Sequence, residues 1–184
     1  MTTKPSYLGL LNAIAVAESQ AEIYLDEWVK ACQRDDVRQV LHTVARREGE
    51  HGKAFAKRIA ELGFMVQSRV DETTAGKCAI ASSTTLTDRE KFEKIGTGQQ
   101  ALGEGRDIFA SMMEDVTIDI ATGALLGRYI AEEHDSIRLL NTCYRQLCAE
   151  EDAHHAPAAS TADLDARLSR IERQLEEICA LVAG

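Results

Sequence analysis

A chain of 184 residues has room for one domain with a sizeable core, and 45% hydrophobic with 28% charged residues is ordinary for a globular protein. A net charge of -9, a pI near 5.1 and basic residues scattered among acids exclude the basic face that nucleic-acid phosphates require. No run of about 18 apolar residues and no signal-peptide pattern occurs, so a cytoplasmic protein without membrane contact is expected. The five cysteines, Cys32, Cys78, Cys143, Cys148 and Cys179, are odd in number and form no CxxC pair. Reduced thiols are therefore expected, with neither a disulfide framework nor a zinc ribbon.

Only Pro5 and Pro157 interrupt the chain, so long helices are permitted. The first helix is predicted from about Tyr7 to Cys32, with Leu8, Leu11, Ile14, Glu18, Leu25 and Trp28 or Val29 on its inner stripe. Gln33-Arg34-Asp35-Asp36 makes a turn in which Asp35 or Asp36 is expected to cap a second helix ending near Leu62, before Gly63. Residues 64–86 lack a sustained period and read as a long crossover. A third helix is predicted from the Thr87/Glu90 capping box through Phe92, Ile95, Leu102, Ile108, Phe109 and Met112, weakened by Gly96, Gly98, Gly103 and Gly105. After a break at Thr117-Ile118-Asp119, a fourth carries Leu126, Tyr129, Ile130, Glu133, Ile137, Leu140, Tyr144 and Leu147.

This order describes an all-α four-helix bundle over residues 1–149, a linker over 150–163 and an amphipathic helix over 164–184. In the tail, Leu164, Leu168, Ile171, Leu175, Ile178 and Val182 alternate by four and three, the seam of a coiled coil. Such a seam wants one partner helix, so a homo-oligomer through residues 164–184 is expected.

Chemistry concentrates where the apolar stripes carry acids. Glu48 and His51 are three residues apart and share a helix face with Val37, Leu41, Val44, Phe55, Ile59 and Leu62. An unpaired carboxylate on such a face costs several kcal/mol, and a metal ion is the partner that also explains the histidine. Antiparallel neighbours meet at equal distances from their turn. The midpoint of positions 18 and 48 is 33, inside the first turn, so Glu18 is expected beside Glu48 and His51. Glu104 and Glu133 are centred between 118 and 119 and are expected to meet in the same way. Four inward carboxylates at one level suit two bridged ions, iron or manganese first and zinc less specifically.

Glu18 within Ala-Val-Ala-Glu-Ser-Gln-Ala-Glu-Ile-Tyr-Leu, followed by Glu48-Gly49-Glu50-His51, resembles the first half of a ferritin-like di-iron bundle of the rubrerythrin type, over roughly residues 7–149. The resemblance implies one Glu and one Glu-x-x-His from each helical pair, and a cluster that reacts with oxygen or peroxide or handles iron. Glu18, Glu48 and His51 match the first set. In the second set, the residue three after Glu133 is Ser136, and the nearby imidazole is His134. Aligning His134 with His51 instead puts Ala131 and Ala101 at the glutamate positions. No rubredoxin-like cysteine module is present, so a peroxidase or ferroxidase cycle would draw on an external electron donor.

Plainer readings stand beside these. Glu104 and Glu133 could be ion-paired, with Arg106 as partner, and the acids could be remnants in a metal-free interaction module; an iron-storage subunit is a third reading. Glu22, Glu50 and Glu132 are read as solvated, His42 as a surface residue, and His154 and His155 as linker. Tyr24, Tyr129 and Tyr144 are read as core or boundary residues, one of which could stand beside a metal site.

Overall fold

A computed structural model of the chain describes residues 4–68, 72–98, 114–155, 165 and 168–174. The described residues are helical and contain no strand: α1 (Leu8–Ala31), α2 (Asp35–Glu61), α3 (Glu72–Ala81), α4 (Asp88–Ile95) and α5 (Ile120–His155). The chain divides into two units, Met1–Leu147 and Cys148–Gly184, and the first holds the candidate site. Among the described residues no helix is long and apolar enough to cross a membrane.

α1 and α2 form within a residue or two of the predicted limits, because their three-and-four stripes are long and uninterrupted. α2 begins differently. Arg34 occupies the cap without a side-chain bond, and Asp35 and Asp36 fall in the first turn, where the helix dipole favours acids. Gly63, at φ 87, ends the helix: its N–H bonds to the Ala60 carbonyl at 2.9 Å and the Phe64 N–H to that of Ile59 at 3.1 Å, a Schellman arrangement.

Three departures have local causes. The crossover contains α3, which buries only Ala81 and so leaves no amphipathic period to read. The Thr87/Glu90 capping box opens α4 as predicted, with Glu90 N–H bonded to Thr87 Oγ1 at 3.2 Å and Thr87 N–H to Glu90 Oε2 at 2.8 Å. That helix then stops at Ile95, because Gly96 turns left-handed at φ 78. Leu102, Ile108, Phe109 and Met112 of the longer predicted helix lie outside the described residues. Finally, α5 continues through residues 150–155, where a linker was expected, since no breaker precedes Pro157.

Among the described residues of the first unit, the buried apolar side chains form two clusters. One joins Leu25, Trp28, Val37, Leu41 and Val44 to Phe92 and Ile95 of α4 and Leu140, Cys143 and Leu147 of α5. Trp28 anchors it, edge-on to Phe92 at 4.7 Å and donating from Nε1 to Asp88 Oδ1 at 2.8 Å. The other joins Tyr7, Leu8, Leu11 and Ile14 to Phe55 and Ile59 and to Leu126 and Tyr129. Asp119 ties that end, accepting from the Tyr7 hydroxyl at 2.7 Å, Thr122 Oγ1 at 2.7 Å and Arg58 Nη2 at 2.9 Å. Between the clusters, α1, α2 and α5 each contribute polar residues instead: Glu18, Glu48 with His51, and Glu133 with Ser136.

Candidate metal centre

Glu18, Glu48 and His51 lie on the buried faces of α1 and α2 with 6%, 6% and 4% of their surface exposed, fully part of the interior. α1 lies close to α2 here because α2 carries glycines. A Cβ on Gly52 would fall 2.5 Å from Ser19 Oγ, and one on Gly49 would fall 2.0 Å from the Glu22 carboxylate. Glu133 arrives from α5. Glu18, Glu48, His51 and Glu133 each offer one ligand atom, and those atoms all lie within 4.8 Å of one another.

The imidazole organises this group. His51 Nδ1 is 3.3 Å from Glu133 Oε1 and 3.7 Å from Glu18 Oε2, close approaches without hydrogen-bond alignment. Its other nitrogen, Nε2, is 2.7 Å from Glu132 Oε2, and Arg128 Nε in turn donates to Glu132 Oε1 at 2.9 Å. The Tyr129 hydroxyl donates to Glu18 Oε1 at 2.9 Å, and its ring stands edge-on to His51 at 5.1 Å and to Phe55 at 5.3 Å. On the α5 side, Arg47 Nη1 donates to Asp135 Oδ2 at 2.8 Å and reaches Ser136 Oγ at 3.4 Å.

Protonation follows from this crowding. Burial, then the Glu18 carboxylate beside it, push the Glu48 carboxyl up to about 11, so it carries a proton at neutral pH. Burial would also raise Glu18, but the nearby His51 and Glu48 and the hydrogen bond from Tyr129 outweigh it and hold Glu18 ionised below its ordinary value. For His51, burial disfavours the cation, yet interactions with Glu133, Glu18 and Glu132 prevail and raise it to about 10. Glu133 is raised, mainly by burial. Burial and the neighbouring carboxylates raise the Tyr129 phenol, which therefore remains a donor.

Glu18 Oε2, His51 Nδ1 and Glu133 Oε1 are buried and have no hydrogen-bond partner. Leaving a buried polar atom unsatisfied costs about 1–3 kcal/mol, and three such atoms facing one another are a poor way to fill a core. The same three atoms fit a cation, because each has a lone pair to give once His51 is neutral. Oxygen donors with one imidazole are the set that iron, manganese or zinc accepts. Glu132 completes the fit: by accepting from Nε2–H it leaves Nδ1 as the free lone pair, the usual outer partner of a metal-binding histidine.

Of the residues singled out by sequence, the fold brings together Glu18, Glu48, His51 and Glu133. Glu104 lies outside the described residues, as does Arg106, so the meeting of Glu104 with Glu133 falls there too. His134 is half-buried but is not part of the group; the next residue along a helix points about 100° away from the Glu133 direction. Glu50 pairs with Arg46 at 3.8 Å on an exposed face, as read, and His42 is exposed. Glu132 corrects the sequence reading, because its carboxylate is on His51 and not simply in solvent. The signal that could have found it is the second nitrogen of His51, which needs an acceptor from the facing helix.

No family model, curated protein or solved structure matches this chain. The functional reading therefore rests on the centre itself.

Proposed function

We propose that the chain is a ferritin-like helical bundle that holds a transition-metal ion, iron or manganese first, at Glu18, Glu48, His51 and Glu133. The observation that carries this reading is the convergence of three buried, unpartnered donor atoms on one point between two apolar clusters. Iron or manganese held there supplies a redox-active Lewis acid for dioxygen or peroxide, in peroxidase-type or ferroxidase-type chemistry. The residues around it have separable tasks. Tyr129 orients Glu18 through its hydroxyl, and Glu132 fixes the imidazole with Nδ1 inward. The Tyr129 ring stands edge-on to the imidazole and is backed in turn by Phe55.

A metal-free reading has one observation in its favour. Glu48 stands within 4.8 Å of Glu18 and carries a proton, and His51 is a cation among carboxylates, so protons can stand where an ion would. Metal analysis separates the two. The chain is purified without chelator, loaded with ferrous iron under air-free conditions and desalted. The expected result is close to one equivalent or more of iron; less than about 0.3 equivalents of any transition metal would leave only the metal-free reading.

The tail supports self-association. Residues 168–174 are helical, with Leu168 57% and Ile171 52% exposed, so the described part of the seam is available to a second copy. Light scattering of the full chain against one ending at residue 163 is expected to show loss of the oligomer; an unchanged mass would remove the tail from the interface.

A further inference from the structure

The centre has two halves built on the same spacing, and they end differently. Glu48 is followed three residues later by His51, and Glu133 by Ser136. On the His51 side the donor atoms are left without partners: Glu18 Oε2, His51 Nδ1 and Glu133 Oε1. On the Ser136 side the position is taken. Ser136 is 2% exposed, and its Oγ lies 3.4 Å from Arg47 Nη1, which also donates to Asp135 Oδ2 at 2.8 Å. Arg47 precedes Glu48 on α2, and its charge acts on both Glu48 and Glu133.

A guanidinium does not lose its proton in a protein and gives five donors but no lone pair. It can therefore neutralise carboxylates as a metal ion does, but it cannot serve as a ligand, and it repels a second cation brought to the same place. We propose that the centre takes one divalent ion per chain, on the His51 side, and that the Arg47 guanidinium stands as the fixed cation on the Ser136 side in place of a second ion. This rests on the metal reading above. It narrows the chemistry to that of a single ion with a charged hydrogen-bond donor beside it.

The test is a titration of the full chain with cobalt(II) under air-free conditions, followed by visible absorption and by the metal retained after desalting. The native chain is expected to saturate at one ion. A double variant, Arg47→Gln with Ser136→His, removes the guanidinium and supplies the missing donor, and is expected to take up a second, weaker ion. Saturation of the native chain at two ions would overturn the proposal while leaving the metal reading intact. No binding by the native chain would overturn both. A double variant that keeps its helical circular dichroism and still binds a single ion would overturn the role given to Arg47.

Discussion

α2 and α5 face each other across the centre with an inward glutamate apiece, but only α2 follows it with an imidazole. On α2, His51 is held at Nε2 by Glu132 and turns Nδ1 toward Glu18 and Glu133. On α5, Ser136 Oγ meets Arg47 instead. The difference teaches that equal spacing of inward acids does not give equal halves. What decides each half is whether the residue one turn on leaves a lone pair facing inward or a hydroxyl already engaged. In the proposed reading, metal binding is accordingly confined to one side of a single polar layer, with charge on the other side balanced by Arg47.

The largest effect is expected from His51→Ala, which removes the nitrogen donor and leaves Glu18 and Glu133 facing a void. Cobalt(II) affinity measured by calorimetry should fall on the order of a thousandfold. An unchanged affinity would erase the contrast between the halves. Glu132→Ala comes next. It deletes the acceptor that sets the imidazole, so affinity should fall by about 10- to 100-fold, whereas Glu132→Gln, which keeps an acceptor oxygen, should recover much of it. Equal losses from the two variants would mean that Glu132 acts only through its charge.

The pH dependence sharpens the same contrast. Folding raises Glu48 to about 11 and His51 to about 10, so the metal-free folded chain holds more protons than the unfolded chain between about pH 5 and pH 11. The stability these two groups contribute is full below that window and is lost as pH rises through it. Glu18 and Glu132, lowered on folding, contribute in the opposite sense, but only around and below the ordinary carboxylate range. The metal-free chain should therefore melt at a lower temperature near about pH 9 than near about pH 6. Bound metal, which displaces those protons, should bind more tightly as pH rises, by up to about tenfold per unit for each proton released. Thermal melts with and without cobalt(II) check both signs; a metal-free melting temperature that climbs over this window would contradict the assigned protonation. The smallest effect is expected from His134→Ala, less than about twofold in affinity. A loss matching that of His51→Ala would shift the working register of α5 by a residue.

Much of this was legible from residues alone, for a physical reason. Glu18, Glu48 and Glu133 stand out because each interrupts a long apolar stripe, and helical periodicity then fixes which way they face. The turn midpoint placed Glu18 opposite Glu48 without reference to any other protein. Glu132 was not legible in that way, since 29% of its side chain is exposed and its importance comes from the His51 edge on another helix. α3 escaped notice because it buries almost nothing, and α4 was drawn too long because a sequence pattern does not show that Gly96 adopts the left-handed conformation. The role of Arg47 depends on a contact between α2 and α5, and neither helix announces it.

The most direct measurement is a crystal of the iron- or manganese-loaded protein, with anomalous scattering collected on either side of each metal edge. The expected result is one strong peak per chain within bonding distance of His51 Nδ1 and of carboxylate oxygens from Glu18, Glu48 and Glu133, with none beside Ser136. A map without a peak among those four side chains, from crystals grown with the metal present, would contradict the account.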